Sequence, residues 1–125
     1  MSVPKILLVD DDYISMSLLE KVLNKEYDIE MAKNGVEGLE KVISFKPNLI
    51  VSDIYMPEMN GIQFTKELKN NPETRNIPIL LITAFNIYKE EAEKSGCDGV
   101  FSKPIIIPKL KAKMREFLQH SKYLC

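Results

Sequence analysis

Apolar residues recur along this chain in two rhythms, short unbroken runs and stripes spaced three or four residues apart. Lys5-Ile6-Leu7-Leu8-Val9-Asp10 is too continuously apolar for a half-exposed strand and predicts one buried on both faces. A helix is predicted directly after it, with Ile14, Leu18 and Val22 along its inward face and Leu19 and Leu23 beside them. Asp28-Ile29-Glu30-Met31-Ala32 alternates, as a strand at a sheet edge does. Asn34 reads as the N-cap of a second helix, with Glu37 as its capping-box partner. That helix runs through Leu39, Val42 and Ile43 and stops before Pro47. Leu49-Ile50-Val51 then predicts a buried strand that delivers Asp53 to its C-terminal end, and the turn containing Pro57 ends it.

Beyond that turn, Asn60-Gly61 opens a third helix through Phe64 and Leu68, ended by Asn70-Asn71-Pro72. Residues 77–83 form a fourth apolar strand, with Pro78 tolerable only near its start. Residues 86–95 predict a polar helix with a thin apolar stripe at Tyr88 and Ala92, weakly packed and the most mobile of the set. After a turn at residues 96–99, Val100-Phe101-Ser102-Lys103 makes a last short strand stopped by Pro104. Pro108 sits in the first turn of a final helix with Leu110, Met114, Phe117 and Leu118 inward. Residues 120–125 are expected to form a frayed tail.

Five strands alternating with five helices imply an α/β domain: right-handed crossovers and a parallel sheet covered on both faces. In such sheets ligands bind at the carboxyl ends of the strands, where the strand order reverses. Here those ends carry Asp10 and Asp11, Asp53, Thr83 and Lys103. Structural caps have no reason to be distributed that way.

The 125 residues have the length of a single domain, 1–125, with no linker or repeat. A net charge of -1 and the lack of a basic block give no case for nucleic acid. No apolar run is long enough to span a bilayer, and no signal-type segment opens the chain, so a cytoplasmic location is the default expectation. Cys97 reads as a packed free thiol and Cys125 as an exposed one. His120, alone in the tail, reads as a surface residue.

One aspartate suffices to cap the first helix, and three exceed what a cap requires. Carboxylates gathered at one edge repel, and a divalent cation is the simplest compensation. Hard oxygen ligands suit Mg²⁺ better than zinc. Asp53, deepest in the strand, could be ligand and nucleophile together, attacking phosphorus to give an acyl phosphate. Lys103 would neutralise charge on the phosphoryl oxygens and the Thr83 hydroxyl would donate to one of them. Singly, Thr83 reads as a strand-end hydroxyl and Lys103 as a surface cation; only the arrangement overturns that.

Asp10-Asp11, Asp53 with Met56-Pro57 and Gly61, Thr83-Ala84 and Lys103-Pro104 together resemble the receiver domain of two-component response regulators, over nearly the whole chain. The resemblance implies the flavodoxin-like receiver fold with strand order 2-1-3-4-5. It implies Asp10 and Asp11 as the acidic metal site, Asp53 as phosphoacceptor and Tyr55 as donor of a backbone carbonyl to the metal. Mg²⁺ is the implied ion, with Mn²⁺ as a possible substitute. Thr83 and Lys103 would sense the phosphoryl group, and the Lys103-Pro104 bond would be cis. A histidine kinase or phosphotransfer protein would supply the group, and a downstream protein would read the face of helix 4, strand 5 and helix 5.

Two features depart from the family pattern. Val100 stands where an aromatic usually acts as a rotamer switch, with Phe101 on the opposite face of the strand. Tyr55 and Phe85 flank the phosphoryl site where smaller or polar residues are frequent, and their rings are expected to hinder the hydrolytic water. Other functions fit less well. A Mg²⁺-dependent aspartyl phosphatase wants a second acid two residues after the nucleophile, where Tyr55 stands. A phosphorylation-independent interaction module has no use for all five site residues. A flavin or nucleotide domain needs a glycine-rich loop where this chain is acidic.

Overall fold

The computed structural model describes residues 3–84 and 86–124. The chain runs β1 (Lys5–Val9), α1 (Tyr13–Leu23), β2 (Asp28–Ala32), α2 (Gly35–Phe45), β3 (Leu49–Asp53), α3 (Gly61–Lys69), β4 (Ile79–Thr83), α4 (Lys89–Lys94), β5 (Gly99–Ser102) and α5 (Ile107–Leu124), with a 3-10 turn at Asn86–Tyr88 before α4. All strand pairings are parallel, in the order β2-β1-β3-β4-β5. This is the expected architecture. Every residue of β3 and β4 is buried, which is why their sequences lack alternation. β2, at the edge, keeps an exposed or half-buried pattern until Ala32.

Pleating divides the core in two. Leu7, Val9, Ile50, Ile79 and Leu81 face Val42 of α2, Phe64 and Leu68 of α3, and Ala92 of α4. Ile6, Leu8, Leu49, Val51, Leu80 and Ile82 face Met16 and Leu23 of α1 and Leu110 and Met114 of α5. Val100 packs in the first layer and Phe101 in the second, on opposite faces of β5 as expected.

Four local expectations are corrected. The inward stripe of α1 is Met16, Leu19 and Leu23, whereas Ile14 and Leu18 are 71% and 60% exposed. α1 is apolar on two stripes, and spacing alone cannot choose between them; the sheet takes the one that reaches Ile6 and Leu8. Residues 86–95 do not make one helix, because the 3-10 turn takes the first turn and leaves α4 six residues long. Its start at Tyr88 has no side-chain cap. The capping box at Asn34 is half formed: its side chain accepts from the Glu37 N–H at 2.9 Å, while Glu37 turns to Lys41 at 4.0 Å. The full box is at Asn60 and Gln63. α5 carries helical backbone to Leu124, past the residue 120 where a tail was expected, since nothing after Pro108 is a glycine or proline. Cys97 is a free, half-buried thiol, and Cys125 lies outside the described residues.

At the edge of the sheet where the strands start, the Lys69 ammonium donates to the carbonyls of Arg75 and Ile77 and to Asp98 Oδ2, all at 3.1 Å. Asp98 Oδ2 also accepts from the Ile79 N–H at 2.9 Å. The end of α3 and the starts of β4 and β5 are thereby clasped together. No helix among the described residues is long and apolar enough to cross a membrane.

Candidate functional site

The carboxyl ends of β1 and β3 lie side by side because Val9 pairs with Ser52. Asp10 and Asp53 therefore emerge next to each other at the crossover, and Asp11 follows. One carboxylate oxygen from each of Asp10, Asp11 and Asp53 lies within 4.8 Å of the others. Asp53 is 8% exposed and its Oδ1 accepts the Ile54 N–H at 2.9 Å, which fixes the carboxylate's orientation. Asp10 Oδ1 is held in the same manner by the Asp12 N–H at 2.9 Å. Asp12 is the cap: its side chain accepts from the N–H groups of Ile14 and Ser15 and from the Ser15 hydroxyl. The acidic triplet thus divides into one structural aspartate and two that face Asp53.

Asp53 pairs in register with Ile82, so Thr83 stands one residue beyond it on β4, 2% exposed. The Lys103 N–H donates to the Thr83 carbonyl at 2.9 Å, carrying its side chain back over the mouth. There Lys103 Nζ stands 3.4 Å from Asp53 Oδ2. The Lys103-Pro104 bond is cis, as expected.

Burial raises the Asp10 pKa to about 6, with the Asp53 charge adding to the rise and the Asp12 N–H opposing it. Burial also raises Asp53, against the opposing charge and hydrogen bond of Lys103. Asp12 is lowered by its bonds to Ser15. Buried Asp53 and half-buried Asp10, both held away from their ordinary state and offering hard oxygen donors, fit a divalent cation of the Mg²⁺ type.

α3 is pressed against the site's backbone. A Cβ on Gly61 would lie 2.3 Å from the Asp53 carbonyl oxygen, so only glycine permits this approach. Two clefts open beside the mouth. One, of about 420 Å³, lies between α1 and the β5–α5 loop, is floored by Leu8, Val51 and Ile82, and reaches Asp10, Asp53 and Lys103. The other, of about 500 Å³, is lined by Asp11, Tyr55, Met56, Tyr88 and Glu91. Tyr55 is 67% exposed and its ring meets Tyr88. Phe85 lies outside the described residues, so its expected place beside the phosphoryl site is not part of this geometry. Asp10, Asp11, Asp53, Tyr55, Thr83 and Lys103 lie at the same edge of the sheet, at or just beyond the strand ends. Sequence reasoning missed the position of Tyr88, because apolar spacing marks a ring as core without saying what else it touches.

A parallel sheet with an acidic cluster, a hydroxyl and a lysine at its carboxyl edge defines a receiver-type domain. A model of the response regulator receiver domain matches residues 6–115, and the chain belongs to that family. The polar-differentiation response regulator DivK of Brucella anthropi is 32% identical over 116 residues, covering 90% of this chain and 94% of that protein. The signal receiver domain of a signal transduction histidine kinase from Syntrophus aciditrophicus superposes with a TM-score of 0.89 at 29% identity, over 94% of this chain and 92% of that one. The receiver domain of sensor histidine kinase PA1611 from Pseudomonas aeruginosa PAO1, solved with magnesium coordinated in its active-site cleft, shares the fold with a TM-score of 0.87 at 21% identity, over 94% and 99% of the two chains.

Proposed function

We propose that this receiver domain is a phosphoacceptor switch in which Asp53 takes a phosphoryl group from a phosphohistidine of a histidine kinase or phosphotransfer protein. The observation that carries the reading is the meeting of buried Asp53 with Asp10 and Asp11 within 4.8 Å and Lys103 at 3.4 Å. A carboxylate oxygen of Asp53 bonds to phosphorus as the P–N bond to the donor imidazole breaks, and that nitrogen takes up a proton. Asp10, Asp11, Asp53 and the Tyr55 carbonyl would hold Mg²⁺, or Mn²⁺ in its place. When bound, the ion supplies positive charge for the phosphoryl oxygens. The Lys103 ammonium and the Thr83 hydroxyl bind those oxygens and exclude water from part of the group. The chain turns over no external substrate beyond this self-directed transfer and the slow hydrolysis of the acyl phosphate, in which water takes the phosphoryl group to give inorganic phosphate and the free Asp53 carboxylate.

A donor must approach the mouth; Tyr13, Ile14 and Leu18 of α1 are exposed, and Leu18 lines the cleft that reaches Asp53. That flank of α1 is the natural seat for the donor protein. A downstream protein would read the face of α4, β5 and α5. Exchange with a kinase's phosphorylated domain supports a cytoplasmic location, and net charge gives no reason to invoke nucleic acid. Intact mass after incubation with Mg²⁺ and acetyl phosphate tests the reading. One added phosphoryl group in the wild type, absent in Asp53→Asn, is expected. No adduct at any donor concentration would favour a phosphorylation-independent interaction module.

A further inference from the structure

α4 is too short to hold itself together by its own hydrogen bonds. It is six residues long, its start at Tyr88 has no side-chain cap, and Ala92 is its buried residue. Among the described side chains, Tyr88 also anchors it, half-buried against the core layer that contains Met56 and Ile62. The Tyr88 ring stands 6.4 Å from the Tyr55 ring, centroid to centroid, with the planes tilted by 44°. That lies within the range where aromatic pairs attract beyond simple burial.

Tyr55 is two residues beyond Asp53, and the loop it occupies is tied to the site on both sides. The Ile54 N–H holds Asp53 Oδ1 at 2.9 Å, and the Gly61 N–H returns to the Ile54 carbonyl at 2.8 Å. Tyr88, in turn, closes the 3-10 turn that follows Thr83 and Ala84. The two rings line the 500 Å³ cleft between the loop after β3 and the start of α4. The other route from Thr83 to the output face crosses β5. There Val100 packs into the core and has no ring to swing.

We infer that the Tyr55–Tyr88 contact is the coupling by which the state of Asp53 reaches α4, with Tyr88 as a positioning residue. This rests on Asp53 being the phosphoacceptor. Drawing the Thr83 hydroxyl toward a phosphoryl oxygen pulls Ala84 and the 3-10 turn toward the Tyr55 loop. The cleft narrows, the rings close on each other, and α4 is steadied from its first residue. Phosphorylation is thus read at α4 as added order at its N-terminal end, without an aromatic rotamer change on β5.

The test is amide hydrogen exchange of residues 89–95 with Mg²⁺, before and during incubation with excess acetyl phosphate, with intact mass recorded on the same samples. In the wild type, α4 amides are expected to exchange about three- to tenfold more slowly once the adduct forms, the range a single ring pair supports. Tyr88→Ala and Tyr88→Leu should form the same adduct yet lose that slowing, while Tyr88→Phe keeps it. Tyr88→Leu keeps an apolar side chain at the start of α4 and removes only the ring, so it reports on coupling even if Tyr88→Ala melts the helix. Wild-type slowing that survives in Tyr88→Leu, or full adduct with no change at α4, would overturn the inference. Absence of the wild-type adduct would overturn the phosphoacceptor reading, and this inference with it.

Discussion

α3 and α4 flank the same site and are built in opposite ways. α3 has nine residues, five of them buried, a complete capping box at Asn60 and Gln63, and a glycine pressed against the Asp53 backbone. α4 has six residues, one buried, and no side-chain cap. The candidate nucleophile is thus braced from the α3 side, while the α4 side has little to resist movement. A switch needs that asymmetry: chemistry requires a carboxylate held still, and signalling requires a neighbour that is not.

The largest expected effect tests the braced side. Phe64 is fully buried, and Phe64→Ala should cost about 3–5 kcal/mol of global stability in urea unfolding. A loss below about 1 kcal/mol would mean that α3 is no anchor. Gly61→Ala should cost about 1–3 kcal/mol, since its methyl group meets the Asp53 carbonyl, and it should lower the rate of adduct formation with acetyl phosphate. Wild-type phosphorylation kinetics in that variant would show that the brace does not set the carboxylate.

Smaller effects separate the two helices further. Asn60→Ala removes the α3 cap and should lower global stability by about 1 kcal/mol. Glu93→Gly in α4 carries a similar local penalty, yet should leave the global urea midpoint nearly unchanged and appear only as faster exchange of α4 amides. Equal shifts in midpoint would erase the distinction between the helices.

Asp10 gives a test by pH. Its pKa is raised from 3.8 to about 6, so the folded chain binds this proton more tightly than the unfolded chain does. Its charge therefore lowers stability progressively as pH rises from about 4 to about 6, and the deficit persists at neutral pH. Asp10→Asn should stabilise the metal-free protein at pH 7 by about 1 kcal/mol, the full shift being reduced by solvent screening of a half-exposed group. The gain should vanish near pH 4 and shrink when Mg²⁺ is added to the wild type. Thermal melts of the pair across that range decide it. The smallest effect concerns Tyr55: if its ring hinders the hydrolytic water, Tyr55→Asn should shorten the adduct's lifetime a few-fold, measured by mass after the donor is removed.

What could be read from sequence follows from how each residue's position is determined. Asp10, Asp11, Asp53, Thr83 and Lys103 were legible because strand ends are marked by a change from apolar to polar, and topology brings those ends together. Phe64, Leu68, Leu110 and Met114 were legible because each helix there has one apolar stripe. Ile14 and Leu18 misled because α1 has two, and only the shape of the sheet chooses. Asp12 could not be separated from Asp11 as the cap, since that depends on where the backbone leaves the strand by a single residue. The 3-10 turn before α4 and the meeting of Tyr55 with Tyr88 arise from tertiary packing between segments more than thirty residues apart, which no local pattern encodes.

The Lys69 clasp determines where the output side can move. Asp98 ties the start of β5 to β4 and to the end of α3, at the edge opposite the site. β5 is four residues long, about 13 Å. The Asp98 end of β5 is held by a side-chain clasp, while its other end is tied to β4 by the Lys103 N–H on the Thr83 carbonyl, so β5 has more latitude to shift beside Asp53 than at Asp98. Asp98→Ala would loosen the start of β5 and even out that difference.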